Sequence, residues 1–124
     1  MPRTEVLLYR EEDGTVPLID WLDGLSPKAQ AKCLARLKRL EDLGHELRRP
    51  EADVLRDGIY ELRTKEDGLN YRMLYFFHGR QVVVLSHGFV KQEAQVPERE
   101  LRTALQRKAR FEQNPRNHTF RPEK

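Results

Sequence analysis

Three β-strand patterns follow one another in residues 58–89, and they limit the fold more than any other part of the sequence. Residues 58–64 are "GIYELRT", residues 70–78 are "NYRMLYFFH", and residues 81–89 are "QVVVLSHGF". The short polar turns "KEDG" and "GR" separate them. Adjacent strands with short connections pair antiparallel, because a parallel crossover needs a dozen or more residues. The sequence therefore predicts a central antiparallel sheet.

Helical patterns flank this sheet on both sides along the chain. Residues 15–25 repeat apolar side chains at helical spacing, with Thr15 as the predicted N-cap. Residues 26–44 follow, and a further helix is predicted over 96–113. The longer helix should begin at Ser26 as the cap and end at Gly44; its predicted apolar stripe is Cys33, Leu34, Leu37, Leu40 and Leu43.

Residues 4–10, "TEVLLYR", alternate well enough to predict a first strand. The order of elements is therefore β-α-α-β-β-β-α. This order predicts an α+β fold, with two N-terminal helices and a C-terminal helix packed on a small, mainly antiparallel sheet.

The composition is that of one globular domain. The chain has 124 residues, of which 38% are hydrophobic and 35% are charged. No apolar run approaches the roughly 20 residues that cross a bilayer. The start lacks the apolar core of a signal peptide, and one cysteine cannot form an internal disulfide. We therefore expect a cytoplasmic protein without a membrane partner.

Positive charge is concentrated at the C-terminal end. Residues 99–124 carry a formal charge of +5, whereas residues 1–98 carry −2. Such an end favours a polyanion or an acidic partner, but a solvated helix face followed by a loose tail explains the charge equally well. We expect one domain over residues 1–112 and a mobile basic tail over 113–124.

Two arginines occur within the predicted sheet. Arg72 interrupts the apolar run of residues 71–77, and Arg63 closes the preceding strand. A symmetric turn at Gly79-Arg80 would place Arg72 opposite His87, and would pair Phe76 with Val83 and Leu74 with Leu85. Tyr71, Met73, Tyr75 and Phe77 would then lie on the other face. A slip of one residue would break this pairing, and Arg63 joins the same face only if the first hairpin pairs with matching parity.

Arginine and histidine on one sheet face suit phosphate chemistry. A guanidinium group binds phosphate through two hydrogen bonds and stays charged, and histidine exchanges protons near neutral pH. Cleavage of RNA by its own 2′-hydroxyl needs a base, an acid and positive charge, without a metal ion. The four histidines show no metal-ligand spacing, so no metal or cofactor is expected.

Each of these residues also has a structural interpretation. Arg63 is typical of a surface ion-pair partner, and Arg72 amid apolar neighbours requires a partner for its charge. His87 is also typical of a hydrogen-bonded strand histidine. Lys91, which follows the third strand, is either a solvated loop lysine or a phosphate contact. Tyr75 is an ordinary sheet residue unless it is exposed, where it would stack on a base.

Residues 55–108 resemble the RelE/ParE toxin superfamily, in particular its HigB-like, phage-derived (Gp49-like) branch. The matching features are "LRDGIYELR", "YRMLYFF", "VVLSHGFVK" and a proline followed by a helix with "ALQR". The upstream run "PLIDWLDGLSPKAQAKCLARLKRLEDLG" is also similar to that branch.

The resemblance implies the toxin of a type II toxin–antitoxin pair. Most such toxins are metal-independent endoribonucleases (mRNA interferases) that cut mRNA on the ribosome and inhibit translation. A small antitoxin, often a helix-turn-helix protein, neutralises them. By position, the resemblance makes Arg63 and Arg72 the basic residues that hold the RNA backbone and the scissile phosphate, and places Lys91 in the short basic motif after the last strand. The resemblance does not identify the base and the acid; His87 is our candidate for proton transfer, with Lys91 and Tyr75 behind it.

The sequence departs from the branch at three positions. Gln92 replaces the second of two adjacent lysines, Val96 replaces the threonine before the last helix, and no tyrosine follows Lys91. Two alternative functions therefore stay open: a ParE-like gyrase inhibitor, and a non-catalytic module that binds nucleic acid or antitoxin.

Overall fold

The computed structural model describes residues 3–122 and has the α+β fold that the sequence predicts. Its α-helices are α1 (Pro17–Asp23), α2 (Pro27–Leu43) and α3 (Glu98–Gln113), and its short 3-10 helices are Gly44–Glu46 and Pro115–His118. The strands are β1 (Glu5–Tyr9), β2 (Ala52–Arg56), β3 (Ile59–Glu66), β4 (Leu69–His78), β5 (Val82–Lys91) and β6 (Thr119–Phe120). Strands β2 and β6 are additions to the predicted order.

The strands form one sheet in the order β2-β3-β4-β5-β1-β6. The three central strands pair antiparallel as predicted, whereas β1 lies parallel to β5. The chain between β1 and β5 contains α1, α2 and strands β2 to β4, and is therefore long enough for the crossover that a parallel pair requires.

Local sequence signals explain the bounds of α2. The Ser26 hydroxyl accepts a hydrogen bond from the Ala29 amide at 3.2 Å, and Pro27 occupies the first turn. Gly44 ends the helix with a φ of +53°, a conformation that favours glycine. For α1 the predicted cap is wrong, because Val16 rather than Thr15 is the N-cap residue and no side chain caps it.

The helices cover opposite faces of the sheet. On one face, side chains of α1 and α2 pack on Tyr71, Met73 and Tyr75 of β4. On the other face, Leu101, Ala104 and Phe111 of α3 form a second cluster with Ile59, Leu74, Phe76 and Val84. Alternate residues of β4 therefore enter different cores, which is why this strand is apolar along most of its length.

The predicted apolar stripe of α2 needs one correction. Cys33 and Leu40 are fully buried, but Leu34 is 49% exposed. Leu34 instead lines an open groove between α2 and β1. Burial also raises the pKa of the Cys33 thiol to about 11, which agrees with its predicted place in the core.

The pairing of β4 with β5 differs from the predicted register. Tyr75 lies opposite Leu85 and Leu74 opposite His87, so Ser86 is the extra residue of a β-bulge. The predicted Arg72–His87 pairing is wrong, because Arg72 lies opposite Phe89. The predicted Phe76–Val83 and Leu74–Leu85 pairs are wrong as well; Val83 and Leu85 belong to the core under α1 and α2. The bulge nevertheless returns His87 to the face that carries Arg72.

The predicted tail is packed against the domain over the part that the structure describes. Thr119 and Phe120 pair with β1. His118 is buried, stacks on Tyr9 with ring centroids 5.1 Å apart, and donates from Nδ1 to the Arg10 carbonyl at 2.8 Å. The last two residues of the predicted tail, 123 and 124, lie outside the described residues.

Candidate nucleic-acid interface

Three cross-strand rows of β3, β4 and β5 share the face on which α3 packs. We call these rows the three-row face. They are Glu61–Leu74–His87, Arg63–Arg72–Phe89 and Lys65–Asn70–Lys91. The rows share a face because their members are two residues apart on each strand. The α3 cluster includes Leu74 and Phe89, so the third row lies towards the uncovered end of the sheet.

Arg63 and Arg72 lie directly opposite each other on neighbouring strands. Arg63 therefore joins the face of Arg72, as the hypothesis of a shared site requires. Two cations in direct opposition repel each other unless a negative charge lies between them.

Glu61 supplies that negative charge. Its Oε1 lies 3.2 Å from Arg72 Nε, and its Oε2 lies 3.9 Å from Arg63 Nε. The first contact lacks the alignment of a hydrogen bond and the second is too long for one, so both Nε atoms are buried without a hydrogen-bond acceptor in the described structure. Asp53, which lies opposite Glu61 on β2, also interacts with the charge of Arg63, but it is itself paired with Arg49 at 2.8 Å. One carboxylate within 4.0 Å of two guanidinium groups therefore leaves an excess of positive charge.

The two arginines differ in exposure. Arg72 is only 4% exposed, and its Nη1 donates to the Tyr71 carbonyl at 3.1 Å. Burial lowers the pKa of the Arg72 guanidinium, Glu61 opposes this effect, and the positive charge of Arg63 adds to it. The Arg63 side chain is 24% exposed. Arg63 therefore presents its charge to solvent, while Arg72 lies beneath the surface.

The third row adds two ammonium groups. Lys65 is exposed and Lys91 is half-buried, and Asn70 lies between them in the row. Within residues 3–122, neither ammonium group lies within 4.0 Å of a carboxylate oxygen, in contrast to most other cations of the chain. The open end of the face is therefore strongly positive.

His87 is part of a buried hydrogen-bonded chain. Its Nε2 lies 2.9 Å from Glu100 Oε1, and its Nδ1 lies 2.8 Å from the Ser86 hydroxyl. A carboxylate only accepts, so these partners assign the proton of neutral His87 to Nε2, with Ser86 donating to Nδ1. Burial lowers the pKa of His87, the bond to Glu100 opposes this effect, and the charge of Arg107 adds to it. Both ring nitrogens are thus engaged within the protein.

Tyr75 is not brought together with the other predicted site residues. It is 1% exposed, lies on the opposite face and stacks on Tyr60, with ring centroids 5.3 Å apart. Burial raises the pKa of its hydroxyl. Stacking of Tyr75 on an RNA base would require the α2 core to open, so its place in the structure is that of a core residue.

A shallow cavity of about 230 Å³ extends the site around the edge of β3. Strand β2 begins at Ala52, opposite Leu62, so β3 has no strand partner beyond Arg63 on that side. The lining residues come from both sides of this open edge: Arg36, Pro50, Arg63, Thr64, Lys65, Asn70 and Arg72.

Sequence reasoning missed Glu61, Lys65 and Glu100. The first two had a signal, because Glu61, Arg63 and Lys65 alternate along one strand and must share a face. Glu100 had none, since only the packing of α3 on the sheet brings it to His87.

The sequence model of the family described as phage-derived protein Gp49-like (DUF891) matches residues 20–109. The chain belongs to this family. The match includes β3, β4, β5 and most of α3, and therefore all three rows of the three-row face. No curated protein matches the chain.

The Gp49-like family is a RelE/HigB-like toxin family of toxin–antitoxin systems. Membership therefore implies an antitoxin as partner of this Gp49-like chain. Within residues 3–122, no three His, Cys, Asp or Glu side chains are grouped so as to hold a metal ion. Across the same residues, every helix is too short or too polar to traverse a bilayer.

Proposed function

We propose that this protein is a toxin that inhibits translation as a metal-independent endoribonuclease, cleaving mRNA on the ribosome. One observation carries the proposal: Arg63 and Arg72 lie opposite each other, share a single carboxylate, and open towards two lysines without ion pairs in the described structure. Family membership supports a toxin, and this face supplies the charge that an RNA phosphate requires.

The chemistry is attack of the 2′-hydroxyl on the adjacent phosphorus. The hydroxyl loses its proton to a base, the bond to the 5′-oxygen breaks, and an acid protonates that oxygen. The products are a 2′,3′-cyclic phosphate and a 5′-hydroxyl. Positive charge fixed near the phosphate stabilises the transition state, and we assign this role to Arg63 and Lys91 at the surface, with Arg72 supporting them from below.

We assign proton transfer to His87 and Lys91, two of the ionisable groups of the three-row face. His87 already donates to Glu100, so it acts only if the RNA replaces one of its present partners. Glu100 lies in the first turn of α3, and its side chain is partly exposed. Substrate and solvent can therefore reach Glu100, the more exposed member of the pair.

Controlled expression tests the proposal. Induction of the chain should stop protein synthesis and generate new mRNA 5′ ends within minutes. Arg63→Ala should lower the cleavage rate by about 10- to 100-fold, the effect of losing one charged hydrogen bond. Arg110→Ala is the matched control, because it removes an arginine from the far end of α3. Normal growth without new 5′ ends would refute the proposal.

A second candidate is a module that binds nucleic acid or antitoxin without cleaving. The engagement of both His87 nitrogens and the neutral Gln92 favour it. Bound RNA that stays intact would identify this function. DNA damage with intact translation would instead identify a ParE-like gyrase inhibitor. We expect the antitoxin to be a helix-turn-helix protein encoded beside this chain.

A further inference from the structure

Three cations of α2 lie along the open edge of β3. Lys32 Nζ donates to the Lys65 carbonyl at 3.1 Å, and Arg36 Nη2 contacts the Thr64 hydroxyl at 3.5 Å. Arg39 is one turn further along the same helix face. The open strand edge explains this arrangement, because side chains of α2 reach carbonyl and hydroxyl groups that a further strand would otherwise cover.

These cations outnumber the carboxylates around them. Arg36 and Arg39 share Glu51, at 3.1 and 2.7 Å, while Lys32 pairs with Glu66 at 3.1 Å. The Arg39 bond holds the pKa of Glu51 below its ordinary value, so this carboxylate stays charged. Even so, three cations face two carboxylates before Lys65 and Arg63 are included. The edge therefore carries more positive charge than its carboxylates neutralise.

A second cavity, of about 470 Å³, continues the first one around this edge. The two cavities share Arg36, Thr64 and Lys65. The first reaches Arg63 and Arg72, and the second reaches Lys32 and Arg39. A continuous cationic surface thus runs from the three-row face to α2.

We propose that Lys32, Arg36 and Lys65 form a second phosphate subsite, which binds the backbone of single-stranded RNA beyond the nucleotide held at Arg63. This inference rests on the proposed function, since it extends the same substrate. A flexible single strand can follow a surface that bends around a sheet edge, whereas a duplex cannot. The subsite raises the affinity for RNA and sets the direction in which the RNA strand lies. It takes no part in the cleavage reaction.

Binding of a fluorescent 12-nucleotide RNA tests the subsite. Every 2′-hydroxyl is methylated so that the strand cannot be cleaved, and the full-length protein is titrated at several salt concentrations. Lys32→Ala should weaken binding by about three- to fivefold at low salt. It should also lower the slope of log affinity against log salt by about 0.7, the value for one lost phosphate contact on a single strand. Arg36→Ala should weaken binding and lower the salt slope by at least as much as Lys32→Ala.

Lys38→Ala is the matched control. Lys38 lies on the same helix, its side chain is 51% exposed against 52% for Lys32, and it too pairs with carboxylates. It faces Glu41 and Asp42, away from the β3 edge. Its removal should leave affinity and salt slope unchanged. Both Lys32 and Lys38 are exposed enough for their alanine variants to fold.

The outcomes separate this inference from the proposed function. Equal effects of Lys32→Ala and Lys38→Ala, or no RNA binding by the wild type, would overturn the subsite. RNA binding that depends on Lys32 and Arg36, with no cleavage of mRNA in a translating cell-free extract, would support the subsite and refute the nuclease. Cleavage that depends on Arg63 alone would support the nuclease and overturn the subsite.

Discussion

Glu61 determines whether two guanidinium groups can occupy neighbouring strands. Its side chain is 8% exposed and that of Arg72 is 5% exposed, so their ion pair lies inside the protein. Removing the partner of a buried cation lowers the free energy of unfolding far more than removing the partner of an exposed one.

Glu61→Gln should therefore lower the free energy of unfolding by about 3 kcal/mol, because it leaves Arg72 buried without a negative charge. Urea denaturation measures this. Glu66→Gln is the control on the same strand; its partner Lys32 is half exposed, so the loss should stay below about 1 kcal/mol. Equal losses in the two variants would show that Arg72 does not depend on Glu61.

His87 should make stability depend on pH. Burial lowers its pKa in the folded state below the ordinary value of 6.5, so the unfolded chain takes up a proton first as pH falls. The stabilisation is complete above pH 6.5 and is lost as pH falls from 6.5 towards the lowered pKa, with a slope of at most about 1.4 kcal/mol per pH unit.

His87→Gln should flatten the stability profile below pH 6.5, since glutamine does not titrate. Thermal unfolding of wild type and variant between pH 7.5 and about 5 tests this. The comparison reports on the His87–Glu100 pair as a unit, because the substitution also removes the bond between the imidazole and Glu100. Parallel profiles would show that His87 has no part in the pH dependence.

Among the elements, the bulge in β5 determines which side chains meet. Ser86 is the extra residue, and Gly88 two positions later lies against the Trp21 ring of α1. A Cβ at Gly88 would lie 2.2 Å from Trp21 Cε3, closer than any real contact. The absence of a side chain at this position therefore lets α1 pack on the sheet.

Gly88→Ala should lower the free energy of unfolding by about 2 kcal/mol, the usual effect of forcing an extra carbon into a packed site. Gly24→Ala is the control, because a Cβ there meets only the Trp21 carbonyl oxygen, at 3.6 Å, and its φ is an ordinary −87°. Thermal unfolding compares the two. A loss at Gly88 no larger than that at Gly24 would mean that Trp21 moves aside freely.

A helix or strand could be predicted where nearby residues in the sequence specify it. Periodicity, Ser26 and Gly44 specify α2, and turn residues specify the three central strands. The bulge left no local signal, because Ser86 is an ordinary strand residue, and it shifted the register on which the predicted Arg72–His87 pair depended. Strand β6 depends on pairing with the distant β1, which composition does not reveal. Strand β2 pairs with the adjacent β3 across the turn Asp57-Gly58, a local signal that the sequence analysis did not use.

At the scale of the whole molecule, the basic C-terminal end serves the fold. Arg107 and Arg110 lie 3.1 and 3.8 Å from Glu11, and Arg121 lies 3.2 Å from Glu5. These ion pairs join the last helix and the end of the chain to the acidic N-terminal part. The charge asymmetry of the sequence is therefore partly internal, and the cationic surface that we propose as the RNA site lies instead at the β3–β5 end of the sheet.

That surface combines residues from three strands and α2, which explains why sequence reasoning found only part of it. Arg63, Arg72, His87 and Lys91 share a face as the candidate site requires, although the direct Arg72–His87 contact does not exist. Tyr75 was assigned to RNA binding from its residue type, and burial separates it from the others. Arg36 lies far from Arg63 in sequence and reaches it only through the packing of α2 on β3.

The most direct test of the central claim is the chemistry of the cleaved ends. Wild-type protein is added to a translating cell-free extract, and the mRNA fragments are incubated with polynucleotide kinase without prior phosphatase treatment. Attack by the 2′-hydroxyl predicts downstream fragments that accept phosphate directly, and a single 2′-deoxynucleotide at the mapped position should abolish that cut. Cleavage that persists at the deoxynucleotide would contradict attack by the 2′-hydroxyl, and cleavage that is unchanged in Arg63→Ala would contradict a phosphate site on the three-row face.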